Sequence, residues 1–296
     1  MTLKILKLIP KGFLMTVTAA SPAGRAGKLA AKFTAVATAA LAAAAAIGAA
    51  PASASVHNWV MTGWNIHLTN QMDPAATSHF FNTNTSYGSG PNSTGNPISD
   101  GYTTRAVLTY SSYAQFASDL QNKAISPNYK WVLYDPEMWS QTPVNEQQNP
   151  ALYMKLFGQL AHANGYNVVE VPARDLAQVL GSACPQLPGE NLDRWFVRCN
   201  MAGAAAAYSD VFVLQDQVNT TNLTEFDYLY ITTRSQALAA NPQVQADAEI
   251  STNYGTPDQM ATAAQSVGAD GYYINATTPT IAQADQFLQE MQAAGY

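Results

Sequence analysis

Positive charge is scarce in this chain. Fourteen Lys and Arg stand against 20 Asp and Glu among 296 residues, and no stretch gathers basic side chains into the cluster needed to displace counterions from phosphates. That argues against nucleic acid and anionic membrane surfaces as partners. Histidine is sparse as well: His57, His67, His79 and His162 show no ligand spacing such as His-x-x-x-His, so neither a metal site nor another cofactor is expected. A Gly-x-Ser-x-Gly elbow is missing, which argues against a triad hydrolase. So is a glycine-rich phosphate loop after an early strand, which argues against a nucleotide-binding open sheet. Cysteine is limited to Cys184 and Cys199. With no basic neighbour to activate a thiol, the pair is expected to form a disulfide, the usual state in an oxidising compartment.

What the chain has in excess begins at its start. Six basic residues, Lys4, Lys7, Lys11, Arg25, Lys28 and Lys32, precede an alanine-rich apolar run over 33–50, and Ala52-Ser53-Ala54 has the small-residue pattern of a cleavage site. Residues 1–54 are therefore expected to be a secretory signal peptide; the alternative is an uncleaved anchor, since the run approaches spanning length. Cleavage would remove six positive charges and no negative ones, taking the net charge from −6 to −12 and leaving one domain over 55–296. No stable membrane insertion is expected after cleavage, and the domain is expected to be a secreted monomer.

Residues 82–102 are dense in Asn, Ser, Thr, Gly and Pro and read as a long, flexible surface loop. Beyond them strands and helices alternate. Strands are expected near 104–110, 131–135, 167–171, 210–214, 245–251 and 271–275, with an earlier one at 59–68, and helices of 10 to 17 residues fall between most of them. Such alternation implies parallel pairing with right-handed crossovers. Strand after strand ends in a polar side chain assigned to the inner face, among them Asp135, Glu170, Gln215, Ser251 and Asn275. A ring of convergent groups suits the mouth of a closed (β/α) TIM-type barrel of seven to eight strands better than an open sheet.

The most informative segment is Trp131-Val132-Leu133-Tyr134-Asp135-Pro136-Glu137. Alternation puts Leu133, Asp135 and Glu137 on one face, and Pro136, which cannot donate to a ladder, marks where the strand leaves its sheet. Two carboxyls at a strand's C-terminal end can divide acid and base work. The expected catalytic set is Glu137 as proton donor with Asp135 or Glu170 as base or nucleophile. Tyr134 and Trp139 are candidate sugar platforms, and Gln215, Gln217, Asn253 and Asn275 candidate readers of hydroxyls. Structural pairing of the acids with Arg105, Arg174 or Arg234 is the competing reading.

The stretch from Leu133 to Trp139, followed by Thr142-Pro143, Glu146-Gln147 and Asn149-Pro150, resembles a group of secreted actinobacterial proteins of unassigned function. Gln215-Asp216-Gln217, Ile250-Ser251-Thr252-Asn253 and Asp270-Gly271-Tyr272-Tyr273-Ile274-Asn275 extend the likeness, which runs from about Arg105 to the C-terminus. The resemblance implies a glycoside-hydrolase-like barrel. This chain departs from the group in having Asp216 where Ala is usual, and in running directly from Asn253 into Tyr254-Gly255-Thr256-Pro257. The Asp-rich strand motif of chitinase-like barrels is absent, which speaks against a substrate-assisted mechanism. The function expected is carboxylate acid/base catalysis on a polysaccharide or glycan; the alternative is a barrel that binds a glycan or cell-wall fragment without cleaving it.

Overall fold

The computed structural model describes residues 57–91 and 101–296, so the expected signal peptide lies outside the described residues. Eight parallel strands close into a barrel in chain order: β1 (Asn58–Thr62), β2 (Ser86–Pro91), β3 (Arg105–Tyr110), β4 (Trp131–Tyr134), β5 (Asn167–Glu170), β6 (Val211–Leu214), β7 (Gln245–Ser251) and β8 (Gly271–Asn275). Closure is made by β1 against β8, with Asn58 opposite Gly271 and Val60 opposite Tyr273. The TIM-type barrel expected from the alternation is what the chain forms.

Two elements differ from the sequence expectation. The segment expected as a strand over 59–68 turns into a helix, α1 (Gly63–Met72), because Thr62 caps it by accepting from the Asn65 N–H at 3.2 Å. Helix α2 (Pro74–Phe81) follows, capped by Asp73. The second difference is β2, which falls inside the expected loop. Its Ser- and Gly-rich sequence carries little strand propensity, but hydrogen-bonded neighbours on both sides impose the extended backbone. Residues 92–100 of that loop lie outside the described residues.

The remaining helices are α3 (Tyr113–Gln121), α4 (Val144–Gln148), α5 (Pro150–Ala163), α6 (Leu192–Arg198), α7 (Met201–Ala206), α8 (Leu223–Ala240), α9 (Pro257–Val267) and α10 (Ile281–Ala293). Among the described residues no helix is long and apolar enough to cross a membrane.

Burial divides into two cores with a strand's thickness between them. Inside the barrel sit Val60, Tyr87, Val107, Leu133, Val169, Val171, Val211 and Val213. Outside it, the opposite faces of the same strands, including Val132, Tyr134, Val168 and Phe212, pack under the helices. Tyr134 stacks on Phe157 of α5 with ring centroids 4.7 Å apart, and Phe157 meets Phe116 of α3 at 4.4 Å. These contacts tie α3 and α5 to β4, the strand that carries the first acid of the site. The expected disulfide joins Cys184 to Cys199 across a Cα–Cα distance of 5.9 Å, tying the loop before α6 to the C-terminal end of that helix.

Candidate functional site

The inner face of β4 continues upward from Leu133 to Asp135, whose N–H still bonds to the Tyr110 carbonyl at 2.8 Å. Asp135 thus stands at the C-terminal end of the barrel, on the wall of a cleft of about 640 Å³ that Thr62, Ser89, Thr109, Trp139 and Tyr273 also line. The chain beyond Asp135 is tightly strapped. Thr142 Oγ1 accepts from the Glu137 N–H at 3.1 Å and from Trp139 Nε1 at 2.9 Å. The Gln147 amide donates to the carbonyls of Trp139 and Thr142, both at 2.7 Å. Glu137 and Trp139 are therefore held by a folded loop, a better basis for a site than free side chains.

Asp135 and Glu137 accept from the same Gln215 amide and perturb each other's ionisation. Gln215, above β6, donates to Asp135 Oδ1 at 2.9 Å, to Glu137 Oε1 at 3.4 Å and to the Val171 carbonyl at 3.2 Å. Across the mouth, Glu249 of β7 completes the group. Asn275 of β8 donates to Glu249 Oε1 at 2.8 Å, while Glu249 Oε2 is buried without a hydrogen-bond partner among the described residues. Tyr273, between them on β8, lies 3.4 Å from Ser89 Oγ through its hydroxyl.

Burial dominates the electrostatics. It raises Asp135 well above the ordinary carboxylate range, with the charges of Glu137 and Glu249 adding to the rise. Burial also raises Glu137, against the pull of the Gln215 amide. Glu249 is pushed up to about 8, again chiefly by burial, with Asn275 opposing. Burial thus favours the protonated form of all three carboxyls. Among the described residues, no set of three or more His, Cys, Asp or Glu is arranged to hold a metal ion.

The structure brings together Asp135, Glu137, Gln215 and Asn275, and sets Trp139 beside them. It does not bring in the other four candidates. Glu170 pairs in register with Tyr134 and Phe212, both on the outer face, so it points away from the cavity; it is fully buried, and neither carboxyl oxygen has a hydrogen-bond partner among the described residues. Both alternations of β5 place valines on one face, so its sequence did not reveal which face turned inward. Tyr134 is likewise outward, donating to Glu146 Oε2 at 2.8 Å rather than offering a platform. Gln217 sits in the 3-10 turn Gln217–Asn219, and Asn253 is exposed in the turn after β7.

Glu249 is the group that sequence reasoning missed. Its signal is the alternation over β7, where Gln245, Asp247, Glu249 and Ser251 share one face while Ala246, Ala248 and Ile250 share the other. Once Ser251 is placed at the mouth, Glu249 follows two residues below it. Ser89 was missed because β2 was read as loop.

No family model and no curated protein matches this chain. Among solved structures it is similar to hydroxymethylglutaryl-CoA lyase from Pseudomonas aeruginosa, at 9% identity and a TM-score of 0.46, covering 76% of this chain and 77% of that one. It is also similar to methylaspartate ammonia lyase from Citrobacter amalonaticus, at 6% identity and a TM-score of 0.43, over 80% and 58% of the two chains. A third is a sugar phosphate isomerase/epimerase from Parabacteroides distasonis, at 9% identity and a TM-score of 0.40, over 84% and 97%.

Proposed function

We propose that the protein is an exported glycoside-hydrolase-like barrel that cleaves a glycosidic bond in a glycan by acid/base chemistry at Asp135 and Glu137. The observation that carries this reading is the carboxyl pair bridged by the Gln215 amide, with Asp135 on the cleft wall next to Trp139 and Tyr273. Two nearby carboxyls, one protonated and one not, are the minimum equipment for protonating a leaving oxygen while activating water or attacking the sugar. Aromatic rings and hydroxyls around them match the two faces of a sugar, one apolar and one polar.

Burial raises Asp135 well above the ordinary carboxylate range, which favours its protonated form, and Asp135 is also the member that lines the cleft. We assign it the delivery of the proton and Glu137 the part of base or nucleophile, the reverse of the order expected from the sequence. Gln215 orients both oxygens, and Asn275 fixes Glu249 behind them. Export is supported by the N-terminal pattern and by the disulfide, and the likeness to the secreted actinobacterial group belongs to the same reading.

The test is a glycan panel with reducing-end detection, followed by kinetics on the substrate found. Asp135→Asn is expected to lose at least about 100-fold in turnover on a natural glycan. It is expected to keep most of its rate on an aryl glycoside whose leaving group needs no proton. Glu137→Gln is expected to lose rate on both. Unchanged turnover in either variant overturns the assignment, and binding of a glycan without any cleavage overturns the enzymatic reading.

A further inference from the structure

The cleft contains an acid and no base. Its described lining offers hydroxyls from Thr62, Ser89 and Thr109, amides from Gln115 and Gln141, and the carboxyl of Asp135, but no Lys, Arg or His. Residues 92–100, which continue the chain after β2, include none of the three either. The nearby arginines are committed elsewhere: Arg174 is ion-paired with Asp193, and Arg105 lies over the rings of Tyr87 and Trp131 at the start of β3. The first turn of α3 borders the cleft, yet its Tyr113 and Ala114 N–H groups are occupied by the Glu146 carboxylate. A phosphate, sulfate or uronate entering this space would give up its water and find no cation in return.

Beneath the wall the situation is the converse. Asp135, Glu137 and Glu249 converge, and Glu249, only 3% exposed, keeps its Oε2 oxygen without a partner among the described residues. Three acids gathered here, with the charge of Arg174 giving Glu249 only partial relief, are favourable only while they stay protonated or until a further cation arrives.

We propose that the cleft selects glycans carrying free amines, with a protonated amino group of one sugar unit lodged against Asp135, which keeps its proton, and Glu249 behind it supplying the counter-charge. This rests on the glycan reading above and narrows it to amino sugars that are not N-acetylated. An amine of this kind is protonated at pH 6, whereas burial holds Glu249 near 8 and Asp135 well above its ordinary range. Arrival of the ammonium ion makes the ionised form of Glu249 favourable, so its carboxyl O–H breaks and that proton leaves to solvent while Asp135 keeps its own. Binding therefore releases a proton, and affinity rises from pH 5 to pH 7.

The experiment is calorimetric titration of the purified protein with glucosamine and galactosamine oligomers, their N-acetylated counterparts of equal length, and galacturonate oligomers. Running it in two buffers of different ionisation enthalpy reads the proton count. One of the free-amine series is expected to bind at least about tenfold more tightly than its acetylated counterpart, the equivalent of one pKa unit of differential interaction. About one proton is expected to be released per site, and Glu249→Gln is expected to erase the preference while residual binding persists. Should that variant fail to fold, proton release in the unaltered protein decides. Equal or tighter binding of the acetylated or acidic oligomers, or amine binding without proton release, overturns the proposal. If neutral glycans are bound and cleaved while amines are ignored, the selectivity is wrong and the hydrolase reading stands; if no oligomer is bound or cleaved, both fall.

Discussion

Glu146 offers the sharpest test of how the site is held, because it lies outside the carboxylate group yet determines where two of its loops sit. The side chain has no solvent exposure, and four donors converge on it: Ser112 Oγ at 3.0 Å, the Tyr113 N–H at 2.7 Å, the Ala114 N–H at 3.1 Å and the Tyr134 hydroxyl at 2.8 Å. It therefore serves as an internal anion at the N-terminus of α3 while standing on α4, joining the β3–α3 wall of the cleft to the loop that carries Glu137 and Trp139. Glu146→Ala would leave without their acceptor two backbone N–H groups and the Ser112 and Tyr134 hydroxyls, the tyrosine's fully buried. At about 1–3 kcal/mol for each unsatisfied group, the loss comes to about 3–6 kcal/mol once partial relaxation is allowed. That is a large share of the roughly 5–15 kcal/mol by which a domain is stable. Glu146→Gln keeps one accepting oxygen but turns an NH2 toward the remaining donors, so about 2–3 kcal/mol is expected.

Urea unfolding followed by circular dichroism measures both losses from the midpoint, provided the slope is unchanged. The Arg194–Glu225 ion pair, whose arginine is 42% exposed, is the internal control. Glu225→Ala is expected to cost no more than about 1 kcal/mol. A loss below about 1 kcal/mol for Glu146→Ala, or a Gln variant as damaged as the Ala variant, would refute the idea that the four bonds act together.

Stability is expected to fall as pH rises. Burial raises Glu249 and Asp216 to about 8, above their values in the unfolded chain, so the folded state binds more protons in between. The stabilisation is complete below about pH 4 and is lost through pH 8, at up to about 1.4 kcal/mol per pH unit for each group; Glu249→Gln should flatten that slope in urea titrations between pH 5 and 8. Replacing both Cys184 and Cys199 by Ser is expected to cost about 3 kcal/mol, from the entropy regained by a loop of this length, and a change below about 1 kcal/mol would place the restraint elsewhere. Gly271→Ala puts a methyl group 2.6 Å from Asn58 Cβ and from Asp247 Oδ1, so a loss of at least about 1–3 kcal/mol is expected by thermal unfolding.

The barrel was legible in the sequence because its later strands are short apolar runs set between helices of regular length, and that alternation admits few topologies. β2 was not, since Ser86, Gly88, Ser89 and Gly90 form a strand only because β1 and β3 flank them. Asp135 could be placed from parity alone, helped by Leu133 below it and Pro136 above it. Glu170 could not: Val168, Val169 and Val171 surround it, both faces of β5 are buried, and a polar residue was assigned inward on chemistry where packing decided otherwise. Glu249 has the same parity as Ser251 and lies one pleat below the strand end, so the alternation of β7 places it inward as well.

The position of the acids follows from how the barrel interior is layered. On β4 the inward side chains run Trp131, Leu133, Asp135; on β6 they run Val211, Val213, Gln215; on β1, Asn58, Val60, Thr62. A lower polar layer near Asn58, Arg105 and Asp247 is thus separated from the upper one by valines and leucine. Nothing charged reaches the site from below, and no side chain among the cleft's described lining is cationic. The middle layer consequently does more than fill space. It keeps water from one side of the carboxyls, and burial shifts Asp135, Glu137 and Glu249 all in the same direction, against the partial relief that the charge of Arg174 gives Glu249. A lysine or arginine at the level of Val213 would bury a charge in a filled interior at a heavy cost to the fold, and would hold the acids ionised with their proton gone. The chemistry proposed for the mouth is therefore a property of residues that never touch a ligand, and it can be lost by a change that leaves every residue of the site in place.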